Sequence, residues 1–230
     1  MKRLRFAAAL LLLTALVLPC RADEGATVVQ SSCSIMEAEN NVILYCYAQV
    51  YNGTGNVVCM EEGQFELRSG DDILATGSVE QMTPYFLRPG EEGYLYDAVV
   101  LDSAGDGSVP AVTGLSYDIR YYTVDDAYAN RSLTVEGETL KEEDGSLAVL
   151  LHLSNPHKEE AWSPTMAFGL YTEGGALLYC DGRTLENVGI PSGGEMTVRF
   201  DVSRSFAERW AEYGADPAEV RATADCGGDD

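Results

Sequence analysis

Basic residues are scarce in this chain. Fifteen lysines and arginines stand against 37 acidic residues in 230 positions, a formal charge of −22. Such a field repels phosphate backbones and anionic lipid, and it lacks the cations whose docking would release condensed counterions. Nucleic acid is therefore excluded as a partner. Histidine is scarcer still. His152 and His157 are the only two, and no serine or cysteine motif is placed to use either. Nucleophilic chemistry needs a base, an orienting group and an oxyanion site together, so no catalytic residue and no enzymatic activity are assigned. The six cysteines show none of the short paired spacings of a zinc site. The acidic groupings Asp71-Asp72, Asp125-Asp126 and Asp102/Asp106/Ser108 lack the regular ligand spacing of a calcium loop. Neither a metal nor a cofactor is expected.

Long apolar runs are missing except at the start. Lys2, Arg3 and Arg5 precede a run from Phe6 to Leu18, broken only by Thr14 and closed by Pro19-Cys20-Arg21-Ala22. About thirteen residues are too few to span a bilayer, and the pattern is that of a secretory signal cleaved after Ala22. In the competing reading Cys20 is the lipidated first residue of a lipoprotein, with Leu18-Pro19 where a lipobox prefers a small residue. The expected product is secreted, or tethered to a cell envelope only through lipid on Cys20. Loss of residues 1–22 removes Lys2, Arg3, Arg5 and Arg21 and no acidic residue, taking the charge from −22 to −26. Export also permits disulfides. Cys180 and Cys226 are the candidate pair in the second half of the chain. Cys33, Cys46 and Cys59 allow one bridge and one leftover, with no ground in the sequence for choosing.

What the chain does contain is a repeat. Asn52 and Phe65 recur as Asn155 and Phe168, and at the same offset Leu67 meets Leu170, Leu74 meets Leu177, Leu87 meets Ile190, Gly90 meets Gly193 and Glu92 meets Glu195. Two copies of one small module follow in tandem. Val42, Leu44, Cys46, Ala48 and Val50 alternate with Ile43, Tyr45, Tyr47, Gln49 and Tyr51, the period of a strand with one aliphatic face. In the second copy Leu147, Val149, Leu151 and Leu153 alternate in the same way. Further strands are expected near 57–68, 72–82, 92–101 and 115–124, then 162–172, 175–180, 194–202 and 217–224, separated by glycine turns. Short strands at this spacing predict an all-β chain of two tandem immunoglobulin-like β-sandwiches. One short helix is expected in the second, opened by the capping box Ser205-Phe206-Ala207-Glu208 and ended by Gly214. The expected division is a signal peptide at 1–22, a first module at 23–126, a linker at 127–138, a second module at 139–226 and an acidic tail at 227–230.

Phe168-Gly169-Leu170-Tyr171-Thr172, followed by a glycine turn and by Ile190-Pro191-Ser192-Gly193-Gly194, resembles the FxLYD domain. That family consists of exported bacterial immunoglobulin-like modules named for a Phe-x-Leu-Tyr-Asp strand. The chain is more distantly similar to the late-embryogenesis-abundant sandwich, whose strand likewise ends in Asn-Pro. The first copy keeps Phe65-Glu66-Leu67 and then departs with Arg68-Ser69, while Thr172 replaces the aspartate in the second. The resemblance implies the sandwich fold and export, and no active site.

Tyrosine is unevenly spread. Nine of the thirteen lie in the first copy, and Tyr45, Tyr47 and Tyr51 share the face opposite the aliphatic one. The equivalent positions of Tyr45 and Tyr47 in the second copy are Ala148 and Leu150. Tyrosine gives rigid amphipathic contact area, so Tyr45, Tyr47 and Tyr51 are the candidate interaction surface for a protein or a cell-envelope polymer. The competing reading packs them against the second module. The function expected is a non-enzymatic binding or interaction module. The alternative is a lipid-anchored structural component of a bacterial envelope assembly.

Overall fold

The computed structural model describes residues 26–37, 41–80, 82–102, 111–126 and 129–227. The signal segment, Cys20, Asp106, Ser108 and residues 228–230 of the tail lie outside that set.

Strands make up 66% of the described residues, with one short helix among them, in the arrangement of an all-β sandwich fold. The first module contains β1 (Thr27–Glu37), β2 (Asn41–Tyr51), β3 (Val57–Ser69), β4 (Asp72–Val79), β5 (Phe86–Leu87), β6 (Glu92–Asp102) and β7 (Gly114–Val124). Antiparallel pairing gives one sheet of order β1-β2-β6. In the facing sheet β3 is flanked by β7 on one side and by β4 and the short β5 on the other. The second module contains β8 (Arg131–Ser132), β9 (Thr134–Lys141), β10 (Leu147–Ser154), β11 (Ala161–Tyr171), β12 (Leu177–Thr184), β13 (Gly189–Ile190), β14 (Glu195–Val202), α1 (Arg204–Glu212) and β15 (Glu219–Gly227). Its sheets are β9-β10-β14 and β12-β11-β15-β8, with β13 on β11.

The boundary between the modules falls earlier than expected. Residues 131–138, assigned to the linker, supply β8 and most of β9, and β9 pairs with β10 from Thr134↔Ser154 to Lys141↔Leu147. The strand β1 went unread for the same reason as β9. Both are edge strands rich in Ser, Thr and Glu, so neither carries the aliphatic alternation that marks β2 and β10.

The repeat reappears atom by atom. Asn52 donates through Nδ2 to the Leu87 carbonyl at 2.8 Å and to that of Asn56 at 2.8 Å, and its Oδ1 accepts from the Thr54 N–H at 3.0 Å. Asn155 does the same with Ile190 at 2.9 Å, Glu159 at 2.8 Å and His157 at 2.9 Å. The backbone carbonyls of Asn52 and Asn155 accept from Gly90 and Gly193 at 2.8 and 3.0 Å. Each asparagine is buried and ties a hairpin turn to the next reversal of the chain, a linkage worth several hydrogen bonds that no aliphatic residue can supply. Phe65 and Phe168, Leu67 and Leu170, and Leu87 and Ile190 are all buried, each set within its own sandwich core.

Helix α1 crosses from one sheet of the second module to the other and packs Phe206 and Trp210 into the core. Its N-cap is Ser203, two residues before the expected one, and no side-chain cap bond forms. Ser205 lies inside the first turn, and Glu208, the expected partner of a capping box, bonds Arg204 at 2.8 Å instead. Gly214 follows the helix at φ +66°, a left-handed residue that lets the Ala215 N–H turn back to the Trp210 carbonyl at 2.9 Å.

Candidate functional site

The two sandwiches meet sheet against sheet through the middle of the molecule. In the β1-β2-β6 sheet, Cys33, Leu44, Cys46, Ala48 and Leu95 point into the first sandwich. The opposite face carries Gln30, Tyr45, Tyr47, Tyr94 and Tyr96, and it meets the outer face of β11 and β12. Tyr47, Tyr94, Ala167, Tyr171, Leu177 and Cys180 form one buried cluster across that seam. Tyr94 is 1% exposed; its hydroxyl donates to the Arg221 carbonyl at 3.2 Å and accepts from the Tyr171 hydroxyl at 3.2 Å. Tyr96 donates to the Gly182 carbonyl at 2.9 Å, Cys180 to the Leu95 carbonyl at 3.2 Å, and the Leu177 N–H to Gln30 Oε1 at 3.0 Å. Arg209 on the helix reaches the Ile35 carbonyl at 3.3 Å.

One residue explains how two sheets come this close. Gly169 is the middle residue of Phe168-Gly169-Leu170, and a Cβ there would lie 2.7 Å from Tyr94 Cε1. The matching position in the first copy is Glu66, whose carboxylate pairs with Arg68 at 2.5 Å away from any seam. The motif tolerates either residue, and the docked copy has the one without a side chain.

The free tyrosine face expected from the sequence is therefore corrected. Tyr47 is only 2% exposed, and Tyr45 stacks edge-on against Phe206 of the second module with ring centroids 5.1 Å apart. Both belong to the contact between modules. Tyr51, at the end of β2, is 39% exposed and lies apart from them. The alternation that put these rings on one face was read correctly, but a second sheet covers that face, which one strand's periodicity cannot register.

Where the seam opens, the rings line a cleft of ≈ 370 Å³ bounded by Tyr45, Tyr47, Tyr96, Tyr179, Asp181 and Phe206, with Asp97 and Cys180 beside them. Tyr47 and Tyr179 approach to 5.2 Å between centroids, and Tyr179 and Phe206 to 5.4 Å. Asp181 accepts from the Tyr179 hydroxyl at 3.2 Å and from the Gly182 N–H at 2.7 Å. Burial holds its carboxyl above the usual aspartate range, opposed by those two donors and by Arg183. Asp97 is likewise raised, first by burial and then by Glu80, and it also lines a neighbouring cavity of ≈ 500 Å³ between β4 and β6. The Tyr47 hydroxyl is buried with no hydrogen-bond partner among the described residues, and loss of solvent raises its pKa. The cleft thus combines several electron-rich ring faces with a partly desolvated carboxylate.

The remaining expected sites lie elsewhere. Cys180 and Cys226 are not paired with each other: they lie on β12 and β15, with β11 running between those strands. Two strand spacings of about 4.8 Å already exceed the reach of a disulfide. Their registers on β11 also differ, Cys180 opposing Gly169 while Cys226 falls beyond Thr165. The His157 ring donates through Nε2 to the Ser132 carbonyl at 2.8 Å. His152 stands on the outer face of β10 with Nδ1 3.0 Å from Thr197 Oγ1 and Nε2 3.3 Å from Glu138 Oε1. These are cross-strand neighbours on an open, solvated sheet face. Among the described residues no group of three or more His, Cys, Asp or Glu is arranged to hold a metal ion, and no helix is long and apolar enough to cross a membrane.

No protein-family model and no curated protein matches the chain. Solved structures similar to it include a red sea bream transglutaminase, at 12% identity over 77% of this chain and 27% of that one, with a TM-score of 0.19. A β-glucuronidase of glycoside hydrolase family 2 matches at 15% identity over 84% of this chain and 21% of that one, also with a TM-score of 0.19. The chain spans about a quarter of the length of these structures. At such similarity neither carries an argument about this protein.

Proposed function

We propose that the protein is an exported, non-enzymatic binding protein built from two FxLYD-type modules, and that the cleft between them receives a cationic side chain of a partner protein. The observation that carries this reading is the cleft itself, lined by the rings of Tyr45, Tyr96, Tyr179 and Phe206 together with Asp181. Ring faces attract a lysine or arginine head by roughly 0.5–2 kcal/mol when the cation is desolvated. A carboxylate already stripped of part of its water adds to this without a further large solvation cost. The charge of −22 draws basic partners toward the surface and keeps acidic ones away.

The test is a titration of the full chain with n-butylammonium and with an arginine-containing tripeptide, followed by tyrosine ring resonances. The reading predicts shifts at Tyr45, Tyr96 and Tyr179, weakening by added salt, and roughly tenfold weaker binding in Asp181→Asn. Unchanged affinity in Asp181→Asn, or no shift at those rings, would refute it. Because burial raises the Asp181 pKa, binding of a permanent cation should fall off on acidification sooner than an exposed aspartate would dictate.

A further inference from the structure

The structure resolves which cysteines of the first module belong together. Cys33 on β1 and Cys46 on β2 stand directly opposite each other in the antiparallel register, between Ser32↔Tyr47 and Ser34↔Tyr45. Directly opposed residues have Cα atoms about 4.5 or 5.5 Å apart, depending on the pair type, and both values lie within the 4.4–6.8 Å span of a disulfide. Opposed residues also project from the same face of a sheet. Cys46 is fully buried in the first core, and Cys33 packs against that core at its edge. The Cys33 thiol makes a long contact, 4.0 Å, to the Ser34 carbonyl. The other cysteines are engaged elsewhere. Cys59 lies in the facing sheet with its thiol directed to the Met60 carbonyl, Cys180 bonds Leu95 across the seam, and Cys226 bonds Arg131.

We infer that Cys33 and Cys46 form a cross-strand disulfide when the protein meets a disulfide oxidant. The oxidant is a small-molecule or protein disulfide. Cys33, the more exposed of the two, exchanges with it first, forming a mixed disulfide and expelling one oxidant thiolate. The Cys46 sulfur then attacks Cys33 and expels the second. Two thiol protons pass to the two departing thiolates, and two electrons reduce one oxidant disulfide to two thiols. The neighbouring Cys33, burial and the Asp97 carboxylate opposite Cys46 all disfavour a Cys46 thiolate. The dithiol is therefore a slow, structural pair rather than a nucleophile exposed for catalysis.

The bond would act where β1 needs it. As an edge strand, β1 packs Val28, Cys33 and Ile35 against the first core, while Gln30, the Ile35 carbonyl and Met36 hold one side of the seam. A covalent link from Cys33 to Cys46 pins that strand to β2, whose far face carries Tyr45 and Tyr47. The loop it closes runs over the β1–β2 connection alone.

The experiment equilibrates the full chain with oxidised glutathione, alkylates the remaining thiols and digests after glutamate, which separates Cys33 on residues 25–37 from Cys46 and Cys59 on residues 40–61. The expected result is a linked pair of these peptides that persists in Cys59→Ser and disappears in Cys46→Ala. The oxidised chain should also melt on the order of 5–10 °C above the reduced one. A glutathione adduct left on Cys33 with Cys46 still alkylatable, a link lost in Cys59→Ser, or oxidised and reduced chains melting together would overturn the inference.

Discussion

Gly169→Ala adds one methyl group at the closest approach of the two modules. The new carbon would lie 2.7 Å from Tyr94 Cε1 and 2.8 Å from Tyr171 Cε2, about 1 Å inside ordinary carbon contact. The backbone at Gly169 cannot retreat, because β11 is paired on both sides, to Cys180 and to Arg221. Tyr94 must yield. It then loses its hydrogen bonds to Arg221 and Tyr171, about 1 kcal/mol each, and much of its ring burial, about 1.5–3 kcal/mol. The expected cost is therefore about 3–5 kcal/mol, borne by the seam while Phe168 and Leu170 keep their places in the second core. Scanning calorimetry of the full chain should show the wild-type transition broaden or split as the modules lose their mutual support. Glu66→Ala, at the matching site of the first copy, should cost less than about 1 kcal/mol. A double-mutant cycle isolates the contact: in a Tyr94→Ala background Gly169→Ala should cost at least about 2 kcal/mol less than in the wild type. Equal cost in both backgrounds would refute the clash and the close docking it implies.

Three further outcomes are expected. Asp225 is raised to about 7 by burial, against about 3.9 unfolded; the folded chain keeps a proton that the unfolded chain releases. The contribution of Asp225 to stability should therefore be greatest below about pH 4, fall by up to about 4 kcal/mol as the pH rises to about 7, and then level off. Urea melts should show that slope vanish in Asp225→Asn. Asn52→Ala and Asn155→Ala should each cost about 2–4 kcal/mol by leaving several buried partners unsatisfied; similar losses in chemical denaturation would confirm their equivalence, and a silent variant would deny it. Trp210→Ala should cost about 3–5 kcal/mol, whereas Ser205→Ala should leave the melting temperature unchanged within a degree, since Ser205 caps nothing.

Much of the fold was legible because it is written in local periodicity. Strands β2 and β10 alternate an aliphatic face with a second face, and the matched Asn, Phe-x-Leu and Gly positions announce two copies of one module before any pairing is known. The edge strands β1 and β9 escaped because serine and glutamate mask an alternation that pairing with β2 and β10 imposes. The helix was placed from the spacing of Phe206 and Trp210, but its cap was misassigned because a capping-box pattern fits Ser205 as readily as it does a residue two positions earlier. The site was legible only in part. The surplus of tyrosine in one copy signalled that its outer face is special, and Gly169 against Glu66 marks the face that receives it. Neither residue states that the two surfaces meet each other, since that contact joins positions far apart in the chain, 77 residues for Tyr94 and Tyr171. The same limit applies to cysteine. Spacing offered Cys180 with Cys226 and left Cys33, Cys46 and Cys59 open, while the β1–β2 register places Cys33 opposite Cys46.

Everything proposed for the cleft depends on the two modules holding one fixed arrangement. Backbone residual dipolar couplings measured in a weakly aligned sample test this most directly. Couplings from residues 41–126 and from residues 131–227 should fit a single alignment tensor in the orientation set by the Tyr94–Tyr171–Arg221 contacts. Two tensors of different magnitude or axis would show modules that reorient independently, and there would then be no persistent cleft for a ligand to occupy.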